Sequence, residues 1–387
     1  MSVADSTRPD TRLVTGGRRK EWRGRLVSPP VERTSTILFD SVADMRQRKP
    51  GLGSYAYGLQ GTASHWALAE ALTELEPGAA GTALLPSGLA AITAAMLAVL
   101  SAGDEVLVVD SVYGPTRIFC DKILSGFGIA ARYYDPLATP EALESLVGES
   151  TRAILLESPG SLTFEVQDVP GICAMARRRG LTTILDNTWA TPLLFPAIAV
   201  GVDISILAVS KHVGGHSDLL MGAVTATPEW FERIQHTAWD LGHAVSPDDA
   251  WLASRGLRTL GVRLRQHEHS GLAVAKWLDA HAAVGTMLHP ALPDCPGHAL
   301  WQRDFRGSSG LFAFSLLNAD RKARDAVVDR LQLFGIGYSW GGFESLAIPV
   351  DPVRTVGKQN SQPLIRLHIG LEDADDLIAD LEQALSV

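Results

Sequence analysis

An acid and a lysine follow two apolar segments of the chain, and together they can support amino-group chemistry. Asp186 ends the apolar segment 182–185, and Lys211 comes just after the segment 204–209. A buried lysine can lose its proton and bond covalently to a carbonyl compound. An ionised carboxylate can pair with a protonated pyridine nitrogen, which turns a pyridine-type cofactor into an electron sink. A structural ion pair at a sheet edge explains the same two residues equally well.

Three further positions have residue types that suit a phosphate, an aromatic ring and a carboxylate. Ser87-Gly88-Leu89 opens a predicted helix, whose free N–H groups and dipole favour a phosphate, although most such starts are plain helix caps. Tyr113 follows a predicted strand and can stack on a ring, unless it is a half-buried core residue. Arg366 lies in an apolar segment, where its fork of donors suits either a carboxylate ligand or an internal salt bridge.

These side chains need a scaffold that brings distant parts of the chain to one edge. Short apolar runs alternate with helical stretches, which indicates an α/β fold with a mostly parallel central sheet covered by helices. Ligands bind beyond the carboxyl ends of such strands, where Tyr113, Asp186 and Lys211 are expected. The predicted strands cover 106–109, 153–156, 182–185 and 204–209, and the helices between them cover 116–124, 140–147 and 169–179.

The chain divides into three predicted parts. Residues 1–62 have few periodic segments and several glycine and proline pairs, so we expect an arm that packs on another surface. Residues 63–255 contain the parallel sheet, and residues 256–387 form a smaller α/β domain. The pattern predicts a helical stretch over 250–280, which begins just before this domain. Within the domain it predicts strands over 310–317 and 364–369 and helices over 320–334 and 372–385.

Composition excludes several classes of protein for this chain of 387 residues. A net charge of −9 argues against nucleic acid as a partner. The most apolar run, 89–100, is much shorter than the roughly 20 residues that span a bilayer, so no membrane partner is predicted. Cys120, Cys173 and Cys295 are far apart and odd in number, which predicts a reducing compartment, the cytoplasm.

One pair of histidines has the spacing of a metal site. His212 and His216 lie four residues apart, as zinc ligands do on a helix. Gly214-Gly215 lies between them, and glycine disfavours a helix. The sequence therefore predicts no metal.

Taken together, these segments resemble the Cys/Met-metabolism family of fold-type-I pyridoxal-phosphate enzymes. The resemblance covers nearly the whole chain and consists of several motifs in the same order. The motifs are Leu13–Arg18, Leu156–Gly160, Asp186–Ala190, Gly215–Asp218, Ser254–Gly261, Tyr338–Gly342 and Leu364–Gly370. The resemblance implies a PLP-transferase-like fold, pyridoxal 5'-phosphate as the cofactor and an amino acid as the substrate.

The resemblance also implies a role for each candidate residue. The implied catalytic set is Lys211, which binds the cofactor and moves protons, Asp186, which pairs with the ring nitrogen, and Tyr113, which stacks on the ring. The implied phosphate contacts are Ser87, Gly88, Leu89, Ser210 and, from a neighbouring subunit, Tyr57. The implied substrate contacts are Arg366, Ser339, Trp340 and Tyr57. Two subunits then build each site, in a homo-oligomer that is a dimer of dimers.

The pair Ser339-Trp340 bears on the reaction. The β-lyases of the family are similar to this chain here, whereas γ-lyases and γ-synthases usually have leucine at the tryptophan position. The resemblance thus implies a carbon–sulfur β-lyase that cleaves L-cystathionine to homocysteine, pyruvate and ammonia in methionine biosynthesis. A γ-lyase of cystathionine or methionine, or a broader cysteine and cystine lyase, is the alternative. A non-catalytic regulator is a remote one, because it has no chemical need to keep all four of Lys211, Asp186, Tyr113 and Arg366.

One position departs from the family pattern. The family commonly has an arginine at the position of Leu59, in the segment Tyr57–Thr62, where it contacts the phosphate. A hydrogen bond to a charged group is worth roughly 1.5–3 kcal/mol. We therefore expect weaker cofactor binding unless Arg46, Arg48 or Lys49 substitutes, and a weaker hold on the far end of the substrate.

Overall fold

A seven-stranded sheet forms the centre of the larger part of the molecule. The computed structural model describes residues 7–49, 51–356 and 362–386. The strand order is β1-β7-β6-β5-β4-β2-β3, and only β7 runs antiparallel to its neighbours. The strands are β1 Gly81–Leu85, β2 Glu105–Val109, β3 Ala130–Tyr134, β4 Thr151–Glu157, β5 Thr182–Asp186, β6 Ile204–Ala208 and β7 Gly222–Ala226. The predicted mostly parallel central sheet is confirmed.

Helices surround this sheet because its strands are apolar on both faces. Those of the arm are α1 Pro9–Thr15, α2 Lys20–Arg23 and α3 Val42–Gln47, followed by a 3₁₀ turn Gly58–Gln60. Those around the sheet are α4 Ala63–Thr73, α5 Gly88–Val99, α6 Gly114–Ile118, α7 Pro140–Glu144, α8 Val169–Arg179, α9 Thr191–Leu194, α10 Phe231–Asp240 and α11 Pro247–Leu257. A π-helical segment, Phe119–Leu124, continues α6, and a 3₁₀ turn spans Ile198–Val200.

A five-stranded sheet organises the C-terminal part. Its order is β10-β11-β12-β9-β8, and its pairs are antiparallel except β10 with β11. Its core includes Phe312, Phe314, Leu377 and Leu381. The strands are β8 Val284–Leu288, β9 Leu311–Leu316, β10 Gly335–Ile336, β11 Leu346–Val350 and β12 Leu364–His368, and the helices are α12 Leu260–Asp279, α13 His298–Asp304, α14 Arg321–Arg330 and α15 Ala374–Leu385.

The predicted domain boundaries meet this structure in two places. The predicted helical stretch 250–280 is two helices, α11 and α12, so a boundary after residue 255 falls inside the last turn of α11. The division into 1–62, 63–255 and 256–387 stays a prediction, and residues 1–6, 50, 357–361 and 387 of those ranges lie outside the described residues. None of the described helices is long and apolar enough to cross a membrane.

The arm is attached to the rest of the chain at its beginning and exposes apolar groups further on. Arg258 Nη1 donates hydrogen bonds to the carbonyls of Leu13 and Gly16, at 2.7 and 2.9 Å. Beyond this anchor, Leu38 is 90% exposed and Val42 is 59% exposed.

Candidate active site

Asp186 and Lys211 lie at the same edge of the larger sheet, as predicted. Asp186 is the last residue of β5, and Lys211 follows the neighbouring β6 by three residues. Thr188 donates to Asp186 Oδ1 from its N–H at 3.0 Å and from its hydroxyl at 2.5 Å. The same hydroxyl accepts the N–H of Ala208 at 2.9 Å, which ties the ends of the two strands together. Burial raises the pKa of Asp186, while Thr188 and the charge of Lys211 oppose that rise.

Lys211 is held by the Ser339-Trp340 pair from the C-terminal part. Its Nζ donates to Ser339 Oγ at 2.6 Å and lies 5.6 Å from the centroid of the Trp340 ring. Burial lowers the pKa of Lys211 to about 8, and the nearby charge of Arg366 adds to this effect. A lysine with such a pKa is partly neutral near neutral pH, so it can act as a base or nucleophile.

Arg366 faces the same site from the middle of β12. Its Nη2 donates to the carbonyl of Ser339 at 2.9 Å. Its Nε is buried and has no hydrogen-bond partner among the described residues, and no carboxylate of those residues forms a salt bridge with it. Burial lowers the pKa of Arg366 to about 10. A buried guanidinium without an anionic partner is expensive, so this geometry favours the reading in which Arg366 binds a carboxylate ligand.

Tyr113 reaches the site from the loop after β2, and a residue that the sequence reasoning missed supports it. The Tyr113 N–H donates to Glu157 Oε2 at 2.7 Å, and the tyrosine is 44% exposed. Glu157 ends β4 and pairs in register with Asp186 of β5. Burial, with the charge of Asp186, raises the pKa of Glu157 well above its usual range. Its position at a strand end, inside the motif Leu156–Gly160, was the available signal.

The start of α5 provides the predicted anion site. Ser87 caps the helix, since its Oγ accepts the N–H of Ala90 at 3.0 Å. The N–H groups of Gly88 and Leu89 have no partner within the described chain. A Cβ at residue 88 would lie 2.7 Å from the Cβ of Ala208, so only glycine lets this turn approach the end of β6. The start of α5 and the end of β6, which precedes Lys211, are therefore adjacent.

Two further residues predicted to contact the phosphate, Ser210 and Tyr57, have other surroundings in the described chain. The Ser210 hydroxyl accepts the N–H of Met221 at 3.0 Å and lies 3.1 Å from its carbonyl, so it is engaged by the neighbouring strand connection. Tyr57 is 53% exposed on the arm and makes no hydrogen bond to the site residues in the described chain. Leu59 lies in the 3₁₀ turn after Tyr57. The roles of Ser210 and Tyr57 stay predictions.

Buried histidines lie behind the site and pack against it. Among the described residues, no group of three or more suitable side chains could hold a metal ion. The buried ring of His212 packs edge-on against Trp340, with 5.2 Å between centroids. His368 Nε2 accepts the N–H of Gly341 at 3.0 Å, and burial lowers the pKa of His368 to about 3. The neutral rings therefore support the turn that contains Ser339 and Trp340.

The donor set fits pyridoxal phosphate. Asp186 Oδ2 accepts no hydrogen bond from the described residues and is available to a ring N–H. The amine of Lys211 suits covalent attachment, and the free N–H groups of Gly88 and Leu89 suit a phosphate. The unpartnered Nε of Arg366 suits the carboxylate of an amino acid. These groups come from both sheets and meet at the carboxyl ends of β4, β5 and β6.

Comparison with known proteins agrees with this fit. A family model described as Cys/Met metabolism PLP-dependent enzyme matches residues 10–386. Cystathionine beta-lyase MetC of Escherichia coli strain K12 is 44% identical over 386 residues, which cover 96% of this chain and 97% of that protein. An L-alanine/L-glutamate racemase of Wolbachia pipientis wMel is 38% identical, covering 97% of this chain and 96% of the racemase.

A solved structure extends the likeness to three dimensions. Cystathionine gamma synthase from Xanthomonas oryzae pv. oryzae, in complex with cystathionine, superimposes with a TM-score of 0.90 at 32% identity. The match covers 98% of each chain. The likeness therefore includes both sheets and the junction between them.

Proposed function

Since this chain belongs to the family of Cys/Met metabolism PLP-dependent enzymes, we propose that it is a carbon–sulfur β-lyase that cleaves L-cystathionine to homocysteine, pyruvate and ammonia. The observation that carries the proposal is the position of Lys211 between Asp186, Arg366 and the Ser339-Trp340 pair. When bound, pyridoxal phosphate supplies the sink for the electrons that are released when the Cα proton leaves. The protein supplies the binding, the orientation and the proton transfers.

Lys211 is the general base of this proposal. Its amine removes the Cα proton of the substrate, and the lowered pKa of Lys211, about 8, leaves part of the amine unprotonated near neutral pH. The Ser339 hydroxyl accepts from the amine at 2.6 Å and so limits where the amine can point. After C–S cleavage, protonated Lys211 returns a proton to the departing sulfur.

Arg366 and Asp186 fix the two ends of the reacting centre. The guanidinium of Arg366 binds the α-carboxylate through Nε, while Nη2 keeps its bond to Ser339. Asp186 would keep the ring nitrogen protonated, because its Oδ2 is available to accept a hydrogen bond from the ring N–H while Thr188 donates to Oδ1. Tyr113 would cover one face of the ring. Trp340 bounds the space beside Lys211 and limits how far the amine can move along the substrate.

The arm and the assembly complete the proposal. We infer a homo-oligomer, a dimer of dimers, in which Tyr57 of one subunit reaches the phosphate site of another. The exposed apolar residues of the arm, including Leu38 and Val42, support this contact. Because Leu59 cannot bind the phosphate, the start of α5 would bind it, with Arg46, Arg48 or Lys49 of an arm as a possible further contact. Of these bases, Arg48 already pairs with Asp44 at 3.2 Å. The three buried, unpaired cysteines support a reducing compartment, the cytoplasm.

Product identity tests the proposed function. The purified enzyme is incubated with L-cystathionine and pyridoxal phosphate, and the keto acid is identified by mass spectrometry. Pyruvate with homocysteine supports β-cleavage. 2-Oxobutyrate with cysteine contradicts it and indicates γ-cleavage at the same site. Absence of any keto acid from cystathionine, with pyruvate from cystine, would assign a cysteine-type C–S lyase instead.

Amino-acid racemisation is a second candidate, favoured by the 38% identity to a racemase over most of both chains. Racemisation and β-elimination both begin with removal of the Cα proton by a positioned base, so Lys211 serves either reaction. The candidate is tested by incubating the enzyme with L-alanine and measuring D-alanine by chiral chromatography. D-alanine formation faster than pyruvate formation from cystathionine would make racemisation the main activity.

A further inference from the structure

A short segment of the C-terminal part, residues 353–356, contacts the larger sheet through buried charged groups. The side chain of Asp110, directly after β2, is fully buried. Its carboxylate accepts the N–H groups of Thr355 and Val356, each at 2.8 Å, and the Thr355 hydroxyl at 2.7 Å. Arg117 Nη2 donates to the same carboxylate at 2.6 Å, and its Nη1 donates to the Thr355 hydroxyl at 2.9 Å.

A second buried ion pair holds the same segment. Arg354 Nη2 donates to Glu165 Oε1 at 2.8 Å and also contacts the hydroxyl of Thr163. The two charged side chains are only 5% and 14% exposed. Glu165 and Thr163 belong to the loop that follows β4. We call Asp110, Arg117, Arg354 and Thr355, with Glu165, the interdomain clasp.

Two residues of the interdomain clasp flank Tyr113 along the chain. Asp110 precedes Tyr113 by three residues, and Arg117 follows it by four and donates its backbone N–H to the Tyr113 carbonyl at 3.1 Å. The loop that contains Glu165 is tied to the Tyr113 loop, since the Ser161 N–H donates to the carbonyl of Ser111 at 2.8 Å. The interdomain clasp therefore anchors the backbone on both sides of Tyr113, at Asp110 and at Arg117, to the C-terminal part.

We propose that Asp110 is a positioning residue, which fixes Tyr113 against the cofactor ring through the interdomain clasp. Buried ion pairs contribute little to net stability because desolvation offsets their attraction. A gain in stability therefore does not by itself explain why four donors surround the Asp110 carboxylate. The need to position Tyr113 at a site that is built from two parts of the chain explains this arrangement. The inference rests on the proposed stacking role of Tyr113.

Cofactor affinity measured without turnover tests this inference. Full-length Asp110→Asn enzyme, freed of cofactor, is titrated with pyridoxal phosphate, and the dissociation constant and the absorbance of the bound cofactor are recorded. We expect the dissociation constant to rise about tenfold, the factor that corresponds to the loss of one aromatic stacking contact, with a shifted absorbance maximum. A dissociation constant within about twofold of wild type would overturn the proposal.

A matched control separates positioning from stability. Asp380 is also buried and accepts backbone N–H groups, from Gln332 at 2.9 Å and Leu333 at 2.8 Å, but it lies in α15 away from the site residues. Asp380→Asn is expected to lower the denaturant midpoint as Asp110→Asn does, while its cofactor affinity stays at the wild-type value. Equal effects of both variants on cofactor affinity would show a merely structural role and overturn the proposal.

Two further variants keep the test decisive. If Asp110→Asn does not fold, Thr355→Val removes only the hydroxyl between Asp110 and Arg117, and should weaken cofactor binding about threefold. Tyr113→Ala is the reference. If it weakens binding while the clasp variants do not, the clasp inference fails and the Tyr113 role stands. If Tyr113→Ala binds cofactor as wild type does, the stacking role and the inference fail together, and the β-lyase assignment is untouched.

Discussion

The amine of Lys211 and the hydroxyl of Ser339 are joined by a 2.6 Å hydrogen bond across the junction of the two sheets. The carbonyl of the same serine accepts from Arg366, so one residue links the proposed base to the proposed carboxylate binder. Ser339 has a φ of +85°, a left-handed conformation that is costly for a residue with a side chain. That cost is consistent with a serine kept for its hydroxyl and carbonyl together.

Replacing this serine should change the acidity of the lysine. Ser339→Gly removes the hydroxyl, and glycine adopts the positive φ readily. The hydrogen bond that is lost favoured the protonated amine, so the pKa of Lys211 should fall in the variant. Cofactor attachment requires the neutral amine, and the pKa of Lys211 in the wild type is lowered to about 8. The rate of cofactor attachment is followed by absorbance in stopped flow as a function of pH. We expect the increase of this rate with pH to occur at a lower pH in the variant than in the wild type. Asn318→Gly, also at a positive φ but in the turn after β9, is the control and should leave the profile unchanged.

Arg366→Lys should weaken binding of amino-acid substrates. Lysine keeps the charge but loses the fork of donors, so it cannot bond a carboxylate and Ser339 in the same way. We expect KM for L-cystathionine to rise by about tenfold or more, with a smaller effect on kcat. Arg321→Lys, an exposed ion-paired arginine, serves as the control. An unchanged KM in Arg366→Lys would contradict the assigned role.

Trp340→Leu should alter the position of cleavage. β-Cleavage needs proton removal only at Cα, whereas γ-cleavage also needs it at Cβ, and the indole beside Lys211 restricts movement of the amine toward Cβ. We expect the ratio of 2-oxobutyrate to pyruvate from L-cystathionine to increase by about tenfold, roughly the effect of 1.4 kcal/mol. Trp277→Leu, in α12 and packed against the core of the C-terminal part, should leave the ratio as in wild type. A constant ratio in Trp340→Leu would remove Trp340 from the specificity argument.

Glu76 should make stability depend on pH. Burial raises the pKa of Glu76 to about 7, above the ordinary 4.5, although Ser205 and Ile198 donate to its carboxylate. A raised folded-state pKa gives stability that is fully present below the unfolded pKa and is lost as pH rises through about 7. The loss is about 3 kcal/mol between pH 4.5 and 7. As pH rises across this range, the denaturant midpoint of Glu76→Gln should increase relative to that of the wild type.

The control for that prediction is an exposed carboxylate. Glu149 lies at the surface after α7, so Glu149→Gln should follow the wild-type pH profile of the denaturant midpoint. If Glu76→Gln also follows it, then Glu76 does not hold a proton in the folded protein near neutral pH.

The central part of the site could be predicted from the sequence because its geometry follows from the fold class. In a parallel sheet, residues just after apolar strands meet at one edge, which is how Asp186 and Lys211 come together. Arg366 was recognisable as a charge inside an apolar strand. The edge strand β3 and the strand β7, of sequence Gly-Ala-Val-Thr-Ala, lack a long run of large apolar residues and are not predicted from the sequence.

The support around the site could not be predicted from local pattern. The bonds from Asp110 to Thr355 span 245 residues, and no short-range signal marks such a pair. Glu157 looks like an ordinary polar strand end until Tyr113 is seen to donate to it. The packing of His212 on Trp340 likewise depends on how the two sheets meet. Residues that act through tertiary contacts become visible only in the structure.

Covalent trapping tests most directly whether the site at the ends of β5 and β6 is the reactive centre. The holoenzyme is reduced with borohydride, digested, and searched by mass spectrometry for the lysine that carries the cofactor. We expect the adduct on Lys211 alone, and a Lys211→Ala enzyme that folds but has no adduct and an activity lower by a factor of about 10² or more. An adduct on another lysine, or full turnover by Lys211→Ala, would show that Lys211 is not the reactive lysine.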